Sequence, residues 1–190
     1  IRNYRAAKNE PPYVGIVHRL DQPVEGVMVF AKNQKAAASL SRQIKEHTTE
    51  KYYRAASRGQ GVSGAAVEDE EAWHTLTDYI SFDKRTNTSK ITSEKDRLAK
   101  KAVLQYRVIS VTPDRDSSQN ECIRTEFDIK LLTGRHHQIR LQLANIGYPL
   151  IGDTKYGHTG GFAREQLALC SYKIAFDHPA TGERMTFELP

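Results

Sequence analysis

The sequence predicts an α+β domain with a mixed, mainly antiparallel sheet and flanking helices. Short apolar runs typical of strands recur along the chain, whereas only two segments have clear helical periodicity. Two strand-like segments, 102–111 and 122–132, follow one another across a turn-rich stretch, as in an antiparallel hairpin. We found no repeat and no second core, so residues 1–190 are interpreted as one domain.

Composition narrows the class of protein. The chain is 38% hydrophobic and 27% charged, which is typical of a globular domain, and its net charge of +5 favours an anionic partner such as nucleic acid. Cys122 and Cys170 lack CxxC spacing, which disfavours a disulfide framework or a zinc site and favours the cytoplasm. No apolar run is long enough for a membrane span. The first residue is Ile1, and an N-terminal part is expected to be missing.

The first half of the chain predicts alternating short elements. "VGIVHRLD" (14–21) leads through a short loop to "GVMVFAK" (26–32), whose continuous apolar run predicts a buried strand. Asn33 is suited to cap a helix over 34–47 that has an apolar stripe. "KYYRAAS" (51–57) predicts a short strand.

The second half predicts a loop, a hairpin, a helix and two closing strands. Residues 59–72 lack periodicity and are interpreted as a surface loop, and 112–121 is interpreted as a turn cluster. In "GRHHQIRLQLANIG" (134–147) apolar residues fall on one helical face before a Gly and a Pro that end the helix. "LALCSYKIAF" (167–176) and "RMTFEL" (184–189) predict two strands joined by a turn.

Three polar clusters do not fit a purely structural role. His18-Arg19-Leu20-Asp21 is either a surface ion pair or a functional turn. Residues 51–54, "KYYR", suit either core packing or the stacking of bases between cations. In "TGRHHQIR" (133–140), a Gly at a strand-to-helix turn leaves backbone N–H groups free near two arginines, a natural anion site.

These clusters predict an anion-binding protein, with RNA binding and a catalytic Asp21 as open possibilities. No metal site is predicted, because His136 and His137 would point about 100° apart on a helix and the HxxxH spacing is absent. No Ser or Cys has a recognisable nucleophile setting.

The motifs together resemble those of the RluA-type family of RNA pseudouridine synthases. "HRLD" with the following "GVMVFAK", then "KYYRAASRG", "LLTGRHHQIRLQLANIGYPLIGDTKYG" and "FDHPATGE" occur in the family's order. The resemblance implies the pseudouridine synthase catalytic fold and the isomerisation of uridines in ribosomal or transfer RNA. It implies no cofactor, because substrate and product are isomers. A partner RNA, no membrane and a monomer are expected.

The resemblance also implies the catalytic residues. Asp21 attacks C1′ as a nucleophile or removes the 2′ proton; the sequence leaves both routes open. Arg140 faces this acid, with the forked donors that suit a carboxylate. Tyr53 stacks on the target base, and its neighbour Tyr52 faces the other side of the strand.

Five further residues are expected to bind RNA. Arg19 fills the space of the flipped base, and His18 supports the turn. Lys51, Arg135 and Lys155 contact phosphates.

The chain departs from the family pattern, and two other functions are possible alternatives. Val24-Glu25 replaces the usual Thr/Ser-Ser pair before Gly26. Neither an S4-type RNA-binding domain nor the strand that precedes "HRLD" in the family is found in the sequence. A noncatalytic RNA-binding module with the same fold is the main alternative. A glycosidase would need a second carboxylate, for which Glu25 is the nearest in sequence.

Overall fold

The computed structural model describes residues 1–59, 72–116, 119–157 and 165–190. The strands in chain order are β1 (Gly15–Ile16), β2 (Glu25–Gly26), β3 (Phe30–Ala31), β4 (Glu50–Gly59), β5 (His74–Asp83), β6 (Thr88–Thr92), β7 (Lys100–Arg115), β8 (Glu121–Leu131), β9 (Leu169–Asp177) and β10 (Arg184–Glu188). The helices are α1 (Arg2–Ala7), α2 (Gln34–Lys45) and α3 (Gln138–Asn145). None of the helices in these ranges has the length and apolar character that a membrane span requires.

One large sheet organises the domain. Its strands are ordered β10-β9-β4-β8-β7-β5-β6, and every pair in this series is antiparallel. The short strand β2 joins it by parallel pairing with β9, while β1 and β3 form a separate two-stranded sheet. The α+β class and the mixed, mainly antiparallel sheet are therefore confirmed.

The two longer helices cover the same face of this sheet. Tyr53 and Ile129 pair directly and contact the apolar side of α3, where Ile139 and Leu143 are buried. Lys51 lies two residues before Tyr53 and therefore projects to the same face. Its partner Ile174 packs on Leu40 of α2. The elements that surround Asp21 and the elements that follow the "TGR" turn thus meet over one face.

Several predicted elements are confirmed. Helix α2 begins after Asn33, whose Oδ1 accepts from the N–H of Ala36 at 2.8 Å. β4 contains the predicted strand 51–57, β7 and β8 form the predicted hairpin, and α3 lies inside 134–147. The closing strands β9 and β10 are paired across a turn at 178–183.

Other predictions were wrong. The run 26–32 is not one buried strand, because only its ends belong to β2 and β3 and its middle is half-buried loop. Half of the turn cluster 112–121, residues 112–115 and Glu121, belongs to β7 and β8 instead, whereas Asp116 and Asn120 are hydrogen-bonded across the turn. Strands β5 and β6 were not predicted. The predicted loop 59–72 lies mostly outside the described residues, which resume at Ala72.

Gly26 provides a test of how rigidly β2 is held against β9. Its φ is 134°, and a β-carbon there would lie 2.2 Å from the carbonyl oxygen of Ser171. We expect Gly26→Ala to lower the free energy of unfolding by about 3 kcal/mol, since backbone strain and steric overlap add. Urea denaturation measures this change.

Gly182→Ala is the matched control. Gly182 also has a positive φ, of 75°, but a β-carbon there meets nothing within 4 Å. This substitution should lower the free energy of unfolding by about 1 kcal/mol, from backbone strain alone. Equal losses in the two variants would show that the approach of Gly26 to Ser171 is not constrained.

Candidate active site

The pairing of β9 brings the turn after "HRLD" to Tyr53. Gly26 pairs with Ser171 on one side of β9, and Tyr53 pairs with Ser171 on the other. The N–H of Val27 also donates to the Ser171 carbonyl at 2.8 Å. Asp21, which lies five positions before Gly26, is held beside Tyr53 by this arrangement.

The Asp21 carboxylate is partly shielded and faces two nitrogen donors. Its side chain is 29% exposed. Oδ2 lies 3.7 Å from Nη1 of Arg140 and 3.8 Å from Nε2 of His137. Both distances exceed hydrogen-bond length, so these contacts are electrostatic in the free protein. The structure therefore brings Arg140 to Asp21, as the sequence predicts, and adds His137.

Arg140 is held in place by a second carboxylate, Asp153. Nε and Nη2 of Arg140 donate to the two oxygens of Asp153 at 2.8 and 2.7 Å. The backbone N–H groups of Lys155 and Tyr156 also donate to Asp153. Burial by itself raises the pKa of Asp153, but the hydrogen bonds from Arg140 and Lys155 lower that pKa below its usual value. This bidentate pair leaves Nη1 directed towards Asp21.

Sequence analysis missed Asp153 and treated Asp21 as the one distinctive acid. Asp153 lies 13 residues after Arg140, so their contact is tertiary. The signal that could have found it is local. An Asp that opens the turn "DTKYG" is suited to accept the N–H groups of the following residues.

Tyr53 faces Asp21, and Tyr52 does not. Burial raises the pKa of Tyr53 to about 12; a hydrogen bond with Ser171 opposes this rise and the charge of Asp21 adds to it. The Tyr52 hydroxyl lies on the opposite face, where it donates to Glu50 at 3.3 Å. Tyr53 is only 7% exposed and belongs to the core, in agreement with the core-packing alternative for residues 51–54. Its hydroxyl stays protonated at neutral pH.

His18 and Lys51 lie behind the Asp21 turn with different roles. Nε2 of His18 accepts from the N–H of Val29 at 3.0 Å, so His18 holds the turn together. Burial lowers the pKa of His18 to about 4, with a contribution from the charge of Lys51. Burial also lowers the pKa of Lys51. Within the described ranges, no hydrogen bond or ion pair joins its Nζ, which lies beside Gly134.

Two backbone N–H groups of the "TGR" turn, which the sequence predicts as a free anion site, have acceptors inside the fold. Gln138 turns back to accept from the N–H of Arg135 at 2.9 Å and from the hydroxyl of Thr133 at 2.8 Å. The N–H of Thr133 donates to the carbonyl of Val103. These two backbone donors are therefore used inside the fold.

The remaining predicted cations lie at the rim. Arg19 is exposed, and its charge acts on His136. Nζ of Lys155 donates to the carbonyl of Asn87 at 2.6 Å, and Nε of Arg135 donates to the carbonyl of Lys101 at 2.8 Å. The three side chains therefore surround the site without contacting Asp21.

The two adjacent histidines precede α3 and are not part of it. His137 has a left-handed backbone with φ of 53°, and its ring stacks on that of His136 at 3.7 Å. The predicted divergence of the two rings on a helix is therefore wrong. Among the described residues, no group of three or more His, Cys, Asp and Glu is arranged to hold a metal ion.

A cleft of about 400 Å³ opens beside Arg140. Its lining includes Glu25 and Glu165. Glu25 is exposed and accepts a hydrogen bond from the side chain of Gln166, and Glu165 is bound to Arg58. The cleft therefore has acidic groups at its outer edge and the Arg140 guanidinium at its inner end.

Comparisons with known proteins identify the family of this chain. A family model described as RNA pseudouridylate synthase matches residues 2–145. "Uncharacterized RNA pseudouridine synthase YlyB" of Bacillus subtilis is 36% identical over 176 residues, which cover 93% of this chain and 52% of that protein. "Ribosomal large subunit pseudouridine synthase D" of Zymomonas mobilis is 31% identical over 182 residues, with 92% and 51% covered. The chain thus spans about half the length of the curated relatives it matches.

A solved structure also resembles this chain in fold. "Human RNA Pseudouridylate Synthase Domain Containing 1" superposes with a TM-score of 0.74 at 25% identity, covering 94% of this chain and 69% of that one. The chain belongs to the RluA-type family of RNA pseudouridine synthases.

Proposed function

We propose that this protein isomerises uridines in RNA to pseudouridine, with Asp21 as the catalytic residue. The observation that carries the proposal is the Asp21 carboxylate, partly shielded, 3.7 Å from a buried guanidinium and beside a buried tyrosine. The glycosidic bond from C1′ to N1 breaks, the base turns, and C5 bonds to C1′. C5 then loses its hydrogen as a proton, and N1 gains a proton. Asp21 either attacks C1′ or removes the 2′ proton, and both roles use an ionised carboxylate. No cofactor is required, because atoms are only rearranged.

Arg140 and Tyr53 supply what this chemistry needs around the acid. The Arg140 charge is fixed and cannot be lost by deprotonation, so it continues to attract the carboxylate while the sugar reacts. Since the pKa of Tyr53 is about 12, its hydroxyl is a proton donor and not a base at neutral pH. Tyr53 therefore suits hydrogen bonding to the detached base, whose N1 gains negative charge.

The cations surrounding the site suit an RNA backbone. Lys51 is half-buried and has no hydrogen-bond or ion-pair partner among the described residues, so a phosphate there would meet a partly dehydrated ammonium group. Arg19, Arg135 and Lys155 extend this positive charge to the rim. His18 contributes by fixing the turn, since its Nε2 is already occupied.

Large-subunit ribosomal RNA is the favoured substrate class. Several relatives are named "Ribosomal large subunit pseudouridine synthase D". Transfer RNA, a monomeric state and a cytoplasmic location stay predictions from the sequence. Mapping pseudouridines in cellular RNA with and without this protein would identify the modified uridine.

The two alternative functions fit the geometry less well. A noncatalytic RNA-binding module has no need to hold Arg140 so firmly beside a carboxylate. A glycosidase needs a protonated acid next to the nucleophile. Glu25 is exposed and bound to Gln166, and Asp153 has a lowered pKa, so neither is suited to donate that proton.

Asp21→Asn tests the catalytic assignment. We expect pseudouridine formation to fall by about 1,000-fold or more, because an amide is neither a nucleophile nor a base, while RNA affinity stays within about twofold. Tritium release from C5-labelled uridine in ribosomal RNA and filter binding provide the two measurements. Glu25→Gln, the matched carboxylate-to-amide change, should retain turnover. Turnover by the Asp21 variant, or release of free uracil by the wild type, would contradict the proposal.

Lys51→Met tests the phosphate contact. The loss of one cation should weaken RNA binding about tenfold at low salt and reduce the slope of log Kd against log salt concentration by about 1. Lys35→Met removes an exposed lysine from α2 and is the control. If both variants keep the wild-type slope, Lys51 does not contact a phosphate.

Arg19→Ala tests the role in base flipping. We expect about a tenfold loss of kcat/KM on a uridine in a folded RNA stem but less than about twofold on the same uridine in an unpaired oligonucleotide, because only the stem must be unstacked. Arg42→Ala, on the exposed side of α2, controls for net charge. A uniform loss on both RNAs would remove the flipping assignment.

A further inference from the structure

His137 has features that packing alone does not explain. It is a non-glycine residue with a left-handed backbone, which L side chains rarely adopt, and it is only 7% exposed. Such conformations persist where the surroundings impose them, and they are concentrated at functional sites. The ring lies between the catalytic carboxylate and the loop that follows Asp153.

The hydrogen bonds around Tyr156 indicate which ring nitrogen of His137 carries the proton. The backbone N–H of Ser89 lies 2.7 Å from the Tyr156 hydroxyl oxygen, and an N–H can only donate. The hydroxyl oxygen therefore accepts there. The Ser89 hydroxyl, which also contacts the Tyr156 hydroxyl, donates to the His136 carbonyl at 2.8 Å. The Tyr156 hydrogen can be donated to Nδ1 of His137, at 2.9 Å. A neutral ring that accepts at Nδ1 carries its proton on Nε2.

Nε2 is the atom that faces Asp21. It makes its closest approach to Oδ2, at 3.8 Å, the same oxygen that Nη1 of Arg140 approaches at 3.7 Å. Burial lowers the pKa of His137 to about 4, so the ring is neutral at pH 7 and presents an N–H dipole rather than a second full charge. Such contacts are often long in the free enzyme and tighten when substrate binds.

Neighbouring rings restrict rotation of the imidazole. His136 stacks on one face of it at 3.7 Å, and His136 in turn packs on Phe82 at 4.1 Å. Tyr156 meets it edge-on at 5.6 Å between ring centroids. Turning the ring over would bring Nδ1 towards Asp21 and break the bond to Tyr156.

We propose that His137 is a positioning residue for Asp21, with its Nε2–H tautomer fixed by Tyr156. A directed series of donors runs from the Ser89 N–H to the Tyr156 hydroxyl, from that hydroxyl to Nδ1, and from Nε2–H towards Oδ2 of Asp21. Nε2 of His137 and Nη1 of Arg140 therefore approach the same oxygen, Oδ2 of Asp21, from two directions. This inference rests on the proposed function for its catalytic consequence, although the tautomer itself can be measured without RNA.

The tautomer is tested first, on the free wild-type protein at pH 7. A long-range ¹H–¹⁵N spectrum, with the signals assigned by comparison with His137→Gln, should show His137 protonated on Nε2 and unprotonated on Nδ1. Tyr156→Phe should shift the ring to a mixture of tautomers. A wild-type ring protonated on Nδ1 would overturn the inference, whatever the activity of the protein.

Kinetics test the positioning role. His137→Leu removes the donor, and kcat should fall about 10- to 100-fold with little change in KM, since a small displacement of a reacting group has this effect. His137→Gln keeps an N–H near the Nε2 position and should recover most of that loss. His47→Gln is the control, because His47 also has a positive φ, of 59°, but is exposed at the end of α2.

A double-mutant cycle separates tautomer control from general packing. Tyr156→Phe should lower kcat several-fold in the wild-type background but not in the H137Q background, because an amide has no tautomer to fix. Equal losses in both backgrounds would overturn the inference. If these variants have no effect while Asp21→Asn is inactive, the inference fails and the proposed function stands. If Asp21→Asn is active, the proposed function fails.

Discussion

The register of β9 is the constraint on which the site depends. Ser171 pairs with Gly26 on one side and with Tyr53 on the other, so one residue connects the Asp21 turn to the tyrosine strand. The register of β9 shifts at this point, because Tyr52 pairs with Lys173 whereas Tyr53 pairs with Ser171. Side chains alternate along a strand, so a slip of β4 by one residue against β8 and β9 would send Tyr53 to the opposite face and bring Tyr52 in its place. Such a slip would also take Tyr53 out of the core beneath α3. Packing and catalytic geometry therefore select the same register.

Two carboxylates share one guanidinium, and their surroundings give them different roles. Asp153 is buried, takes both strong hydrogen bonds from Arg140 and accepts two backbone N–H groups. Asp21 is 29% exposed and meets only the outer nitrogen of Arg140, at 3.7 Å. A buried ion pair contributes little net stability when its desolvation cost is counted. Its value here is geometric, because the tight pair on one side directs the remaining N–H group to the acid on the other.

Sequence reasoning succeeded where the determinants are local or concentrated in motifs. The stripe on α2 and its Asn33 cap define that helix within the sequence itself, and the motif alignment placed Asp21, Tyr53 and Arg140, which the fold brings to one face.

Sequence reasoning failed where the structure depends on contacts between residues that are far apart in the sequence. β6 is an edge strand whose sequence, "TSKIT", has little apolar content to mark it. The Arg140–Asp153 pair and the bond from Gln138 to the Arg135 N–H depend on how the chain folds back, and no spacing rule contains them. The run 26–32 looked like a buried strand because its valines pack beside α2, yet the positive φ of Gly26 and the use of the Val29 N–H by His18 prevent a regular ladder.

Near Asp21, several groups lack close polar partners among the described residues or have a strained backbone. Lys51 is half-buried without a hydrogen-bond or ion-pair partner among the described residues, His137 has a strained backbone, and Asp21 contacts its two donors only at long range. Each of these lowers stability relative to a fully satisfied site. A phosphate beside Lys51 and a sugar beside Asp21 would provide the missing polar contacts. Under the proposed function, the RNA substrate would therefore offset the energetic cost of these features when it binds.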